Sequence, residues 1–420
     1  MKLMHQLITV ILAAGAGTRM ESSVAKVAHQ VCGQPLLTYV IEAVTQAGTD
    51  SLVLVLGHQA HQVKEIIPES THFVIQQQQL GTGHAVLQTK DFLQDKKGTA
   101  LVISGDMPII TGNTLKSAYE YHLKQGNQVT ILTSDICFIN IESLQTVIFQ
   151  SDPAGQNEYS LSDIIKKLIE NNQKTGTYKI HDPEEMMNVD DRIQLAKAER
   201  ILLRRIIEKH MQNGVTFHLP DTCMIHAGVR IGKDTVIHPG TILTGNTVVG
   251  EDCVIGPNSR IEDGILGNGV HFINSFMTQS QVGDNTKVGP FAYIRPGSKI
   301  GQNNKVGDFV EIKNSTIGDN TKIPHLSYVG DAKIGNGVNI GCGAVVVNYD
   351  GKMKHRTVVG DHAFVGCNVN LVSPVVINDY AYIAAGSTIT DEVPEYALAI
   401  ARSRQTVIED WVKKKGLDKK

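Results

Sequence analysis

The stretch Ile231-Gly232-Lys233-Asp234-Thr235-Val236-Ile237-His238-Pro239-Gly240-Thr241-Ile242-Leu243-Thr244-Gly245-Asn246-Thr247-Val248-Val249-Gly250 decides the architecture. An aliphatic residue returns at every sixth position, Ile231, Ile237, Leu243 and Val249, and holds its phase through Ile255 and Ile261. The phase slips and resumes at Val282, Val288, Ile294, Ile300, Val306 and Ile312, then resets to Ile317, Ile323, Val329 and to Ile334, Ile340, Val346. After an insertion it runs Val359, Val365, Leu371, Ile377, Ile383, Ile389. Helices repeat their faces every 3.6 residues and strands every two, so neither alone explains a period of six. A triangular prism does: each short strand forms one side with one inward residue, and stacked coils bury a continuous aliphatic column. Glycine often follows the aliphatic residue, as in Val282-Gly283 and Val365-Gly366, where a Cβ would crowd the corner. The period is silent about handedness.

Ahead of this region the pattern changes. Apolar strand candidates at Leu7–Ala13, Leu52–Leu56, Phe73–Ile75 and Leu101–Ile103 alternate with helical spacing over Leu36–Ala47 and Gly83–Leu93, which predicts an α/β sheet of mostly parallel strands. Ile193, Leu195, Ile201, Leu202, Ile206 and Ile207 have near-helical spacing before Gly214. The expected division is an α/β domain over 1–190, a connecting helix over 191–214, the β-helix over 215–395 and a tail over 396–420.

The 420 residues suit two or three domains, and a net charge of -3 gives no reason to expect nucleic acid or an anionic membrane as partner. Aromatics make up 5% against 39 glycines, a bias toward narrow strands and tight turns. The six cysteines form no C-x-x-C pair, so reduced thiols are expected rather than a zinc site or disulfide framework. Lys2 before the apolar run Leu7–Ala14 has the outline of a secretory signal, yet that run leads directly into Gly15-Ala16-Gly17-Thr18-Arg19, which reads better as a phosphate loop.

A strand ending in that glycine-rich turn offers backbone N–H groups to a triphosphate. Arg19 and Lys26 would neutralise charge as pyrophosphate leaves. Gly81-Thr82-Gly83 is a second glycine turn, and Asp106 after a strand suits magnesium. Leu12-Ala13-Ala14-Gly15-Ala16-Gly17-Thr18-Arg19-Met20 with Lys26, Gln76–Ala85, and Gly105-Asp106-Met107-Pro108 together resemble the sugar-1-phosphate nucleotidyltransferases. Joined to hexapeptide repeats, they resemble the bacterial bifunctional N-acetylglucosamine-1-phosphate uridyltransferase / glucosamine-1-phosphate acetyltransferase family. The resemblance implies a Rossmann-like nucleotidyltransferase domain, a left-handed β-helix, a cytoplasmic homotrimer, and no membrane. It implies UTP binding by Leu12, Ala13, Ala14, Gly15, Arg19, Lys26, Gln76, Gly81 and Thr82, with Mg2+ on Asp106 and on Asp190, which stands where relatives usually have Asn. Departures are Ala25 for Pro, Ser104 where Tyr occurs, and a shortening near 133–136, where relatives carry a Gly-Tyr-Gly-Arg turn, a Glu and an Asn-Thr-Gly segment that hold the sugar phosphate.

The second half matches the family's acetyltransferase site in order and spacing. The match implies His325 as general base, since only the free amine of an amino sugar attacks a thioester and an imidazole can take its proton near neutral pH. It implies Arg295, Lys313, Tyr328, Asn339 and Lys354 for glucosamine-1-phosphate, and Cys342, Asn348, Tyr349, Cys367, Ala385 and Arg402 for the co-substrate acetyl-CoA. The basic tail Lys413-Lys414-Lys415 reads as a solvated end. Three functions stay open: a bifunctional enzyme making UDP-N-acetylglucosamine, a monofunctional acetyltransferase with an inactive front domain, and a non-catalytic sugar-nucleotide binding scaffold. A hexapeptide carbonic anhydrase is disfavoured because His238, His325, His355 and His362 lack ligand spacing.

Overall fold

The structure, a computed structural model, describes residues 6–150 and 158–418; Lys2 lies outside them. The chain divides into two compact units, 1–206 and 207–420. The boundary falls within one continuous helix, Arg192–Gln212.

The first unit is built on a seven-stranded sheet. Its strands run in the order His72–Ile75, Ser51–Leu56, Leu7–Ala13, Thr99–Ser104, Ile136–Asn140, Val129–Thr133, Thr175–Thr177. The first four are parallel, and Ile136–Asn140 is antiparallel to both of its neighbours. The strand Leu7–Ala13 explains itself by period two. Leu7, Ile11 and Ala13 enter one apolar core, while Ile8, Val10 and Leu12 enter the core on the other face. Thr9, fully buried, meets the Thr49 hydroxyl at 2.7 Å, so its burial leaves no unmade hydrogen bond. All four expected strands are present. The helix expected over Gly83–Leu93 is instead two, Thr82–Leu87 and Lys90–Leu93. Between them the Thr89 hydroxyl donates to the Val86 carbonyl at 2.7 Å, a local bond that competes with the helical ladder.

The second unit is the three-sided parallel β-helix that the hexapeptide period demands. Its three sheets hold 11, 10 and 9 strands, and each strand pairs in parallel with the strand one coil later. Inward residues stack in register, as in Ile237 on Ile255, Leu243 on Ile261 and Ile294 on Ile312. Every aliphatic position of the repeat is buried except Ile231, in the first coils, which is half-buried. The apparent slip between Ile261 and Val282 holds no break: Leu266, Phe272 and Met277 continue the inward column. Two residues before many inward aliphatics lies a buried hydroxyl. Thr321, for example, donates to the Gly335 carbonyl at 2.8 Å and accepts the Val338 N–H at 3.1 Å, closing two backbone accounts inside the prism. No helix among the described residues is long and apolar enough to cross a membrane.

Candidate functional site

Each unit carries a constellation of its own. In the first, a cavity of about 630 Å³ opens at the carboxyl ends of the parallel strands, beside Leu7–Ala13, where strand order reverses. Ligand crevices of open α/β sheets form at such a switch point because the crossovers leave in opposite directions. All eleven residues expected around UTP and Mg2+ line it: Leu12, Ala13, Ala14, Gly15, Arg19, Lys26, Gln76, Gly81, Thr82, Asp106 and Asp190.

The cations and carboxylates of this cavity are interlocked. Lys26 Nζ contacts Asp106 Oδ2 and lies 2.5 Å from Asp190 Oδ1, and Arg19 reaches the same Asp190 oxygen at 3.0 Å. Burial works to lower the Lys26 pKa, but Asp106 and then Asp190 outweigh it, and the net shift is upward. The loop carrying Asp190 is tied to Asp106 by the Val189 N–H on the Asp106 carbonyl at 2.9 Å. Gly17 has φ 60, and a Cβ there would sit 2.7 Å from the Lys26 Cβ, so the turn admits only glycine if the lysine is to pass beneath it. The Ala25 N–H donates to Gln62 at 2.7 Å, a bond that a proline at this position could not make. Gln76, 4% exposed, donates to the Gly81 carbonyl at 3.1 Å and meets His84 at 2.9 Å, fixing the glycine loop.

These residues fit a magnesium ion. Asp106 Oδ1 is buried and without a hydrogen-bond partner among the described residues, an acceptor available to a cation or a ligand. Among the described residues no group of three or more His, Cys, Asp or Glu is assembled to hold a metal. The two carboxylates Asp106 and Asp190 suit an ion that keeps several waters and takes one or two carboxylates plus substrate phosphates.

In the second unit the His325 ring stands on a corner of the prism, and Nδ1 lies 2.5 Å from Asp308 Oδ1. The two residues are direct partners in adjacent coils. A Cβ on Gly307 would collide with the Pro324 carbonyl, so glycine is what allows these coils to approach. The hydrogen bond from His325 holds the Asp308 carboxyl below the usual carboxylate range. Cys342, Cys367 and Ala385 follow Ile340, Val365 and Ile383 by two residues, as Asp308 and His325 follow Val306 and Ile323. All five therefore lie along one corner of stacked coils.

A second cluster gathers around Asp331. Its Oδ2 accepts from Asn348 at 2.6 Å and lies 3.7 Å from Lys313, while Oδ1 accepts from Asn314 at 2.6 Å. Burial raises its pKa, but Asn314, Asn348, Lys313 and Lys354 outweigh that and hold it low. The neighbouring Lys313 ammonium pulls the Lys354 pKa below the ordinary lysine range. Tyr328 OH is 3.4 Å from the Asn348 amide, and Tyr328 pairs across the coil with Glu311, the ion partner of Arg295 at 2.7 Å. Tyr349 instead bonds the Gly351 carbonyl of its own loop. Asn339, half-buried on another face, shares no hydrogen bond with these candidates, and Arg402 is exposed. Asp308 and Asp331 were not foreseen from the sequence, and nothing in the period distinguishes them from surface acids.

Comparison with known proteins places both halves. Residues 9–171 match the family described as MobA-like NTP transferase domain, residues 228–263 the bacterial transferase hexapeptide family, and residues 276–395 the GMPPB C-terminal domain. The bifunctional protein GlmU of Acetivibrio thermocellus is 48% identical over 455 positions, covering 99% of this chain and 99% of that one. GlmU of Caldanaerobacter subterraneus is 46% identical over 453 positions (98% and 99%), and that of a Geobacillus species 44% over 451 (98% and 98%). An alignment of 455 positions against 420 residues leaves at least 35 positions of the first relative without a counterpart here. With both halves matched from end to end, the chain belongs to the family of bifunctional GlmU proteins.

Proposed function

We propose that the chain makes UDP-N-acetylglucosamine in two steps, acetyl transfer in the β-helix unit and uridylyl transfer in the α/β unit. The observation that carries the first step is the 2.5 Å contact of His325 with Asp308. Asp308 accepts the Nδ1–H, which leaves the lone pair on Nε2 facing outward as a base. His325 takes a proton from the amine of glucosamine-1-phosphate. The amine nitrogen attacks the acetyl-CoA thioester, a C–N bond forms, the C–S bond breaks, and coenzyme A leaves as a thiolate that takes up the proton from His325, regenerating the base. Lys313 and Arg295 carry charge suited to the sugar phosphate, while the corner of Cys342, Cys367 and Ala385 offers a straight groove for the co-substrate. A homotrimer fits the hexapeptide β-helix, and a cytoplasmic setting goes with acetyl-CoA and UTP as substrates.

In the α/β unit Lys26 and Arg19 take up negative charge as an oxygen of N-acetylglucosamine-1-phosphate displaces pyrophosphate from UTP. Asp106 and Asp190 would hold Mg2+, whose chemistry is to neutralise the phosphates and the departing pyrophosphate. The test is incubation with glucosamine-1-phosphate and acetyl-CoA, with and without UTP and Mg2+, followed by separation of products. UDP-N-acetylglucosamine in the complete mixture is expected. N-acetylglucosamine-1-phosphate accumulating beside unchanged UTP would reduce the chain to an acetyltransferase, and no product in either tube would overturn both steps.

A further inference from the structure

We infer that Asp135 and Asn188 form the sugar-recognition end of the α/β cavity, reading hydroxyl groups of the acceptor sugar. The inference rests on the uridylyl-transfer reading of that cavity and assigns its second half. Both side chains line the same cavity as Lys26 and Asp106. Asp135 lies in the tight turn between the antiparallel strands Val129–Thr133 and Ile136–Asn140, where the chain is short.

Three observations favour hydroxyl recognition. First, the pair is built rather than incidental. Asp135 Oδ2 accepts from Ser134 Oγ at 2.7 Å and from Asn188 Nδ2 at 3.2 Å. These bonds leave Oδ1 of each residue without a hydrogen bond from the described residues, as acceptors for a hydroxyl. Second, both are anchored to the metal-binding strand end. The Ser104 N–H donates to the Asp135 carbonyl at 3.1 Å, and Val189, next to Asn188, donates to the Asp106 carbonyl at 2.9 Å. Third, the charges are segregated. Lys26 and Arg19 join Asp106 and Asp190, whereas no salt bridge to Asp135 is formed among the described residues. A phosphate is repelled by the bare carboxylate of Asp135, while a sugar hydroxyl donates to it, and hydrogen bonds to charged groups are the stronger kind. A sugar phosphate is thereby turned with its phosphate to Lys26 and its ring to Asp135.

The test is equilibrium binding by calorimetry to the full chain in Mg2+, comparing UTP with UDP-N-acetylglucosamine, for the native protein and for Asp135→Ala, Asp135→Asn and Asn188→Ala. UTP binding by the same samples reports that the α/β unit of each variant is folded. UDP-N-acetylglucosamine is expected to bind roughly ten- to a hundredfold more weakly to Asp135→Ala. The loss should be smaller in Asp135→Asn, which keeps an acceptor oxygen, with UTP affinity within about twofold of native throughout. Unchanged binding of both ligands overturns the assignment, as does an equal loss of both, which would make the pair nucleotide or scaffold residues. If the native protein binds UTP but not the sugar nucleotide, the pair has no sugar to read. If it binds neither, the uridylyl-transfer reading itself fails.

Discussion

The two units reach their sites by opposite routes. In the β-helix, each coil repeats the last, so residues a coil apart in sequence stand one above the other, and the corner from Asp308 to Ala385 is a straight line through the stack. In the α/β unit, Lys26, Asp106, Asp135 and Asp190 come from four separate loops and meet only because the sheet brings its strand ends together. A repeat makes a site by translation; an open sheet makes one by convergence. The first kind survives changes elsewhere in the stack, whereas the second depends on every loop that feeds it. The shortening expected near 133–136 would be tolerable in an α/β sheet where the remaining loops still line the cavity, as those carrying Asp135 and Asn188 do here.

The sharpest way to break this comparison is to remove one residue from each route. His325→Ala is expected to lower acetyl transfer about a thousandfold, with uridylyl transfer from supplied N-acetylglucosamine-1-phosphate unaffected, read by assaying each half-reaction alone. Lys26→Ala should do the reverse, costing uridylyl transfer on the order of a hundredfold while the acetyl step proceeds at the native rate. Loss of both activities from either change would mean that the units are not separable. Asp308→Ala comes next: acetyl transfer is expected to fall about tenfold or more. Asp308→Asn should recover part of it, because the amide oxygen still accepts the Nδ1–H but the charge is gone. A full loss in both variants would point to collapse of the coil rather than to a mispositioned imidazole.

The smallest effect is chemical. Burial pushes the Cys32 and Cys137 thiols up to about 12, and Cys367 stands exposed on the corner. At pH 8 the native protein treated with iodoacetamide should therefore label at Cys367 while Cys32 and Cys137 stay unmodified until unfolding, as read by peptide mass spectrometry. Acetyl-CoA should slow labelling of Cys367; labelling at an undiminished rate would remove that corner from the co-substrate groove.

What the sequence discloses follows the same division. A period of six is visible without any neighbour in view, so the prism and nearly every inward residue were legible. Among the exceptions were Leu266, Phe272 and Met277, reached from Ile261 by steps of five, six and five residues, which hid three rungs that the structure seats inside. Motif residues of the α/β cavity were legible because glycine and charge after a strand have few other uses. Asp308 and Asp331 were not, because their importance lies in what stands one coil away: His325 for the first, Asn348 and Lys313 for the second. Asp135 and Asn188 were hidden for another reason. Fifty-three residues separate them, and only the sheet turns them toward one another.

The constant register has a further consequence for how such a chain can change. The pairs Val236–Val254, Val254–His271 and His271–Lys287 span coils of 18, 17 and 16 residues, yet each places its strand on the next without a shift of face. Variation in length is absorbed at the corners, and what passes from one coil to the next is only the position of an inward side chain. A whole coil is thus a cassette. Excising one well ahead of Arg295 would shorten the stack by about 4.8 Å and leave every coil beyond the junction over its old neighbour. Removing a single residue within a strand would turn that strand's inward side chain to solvent.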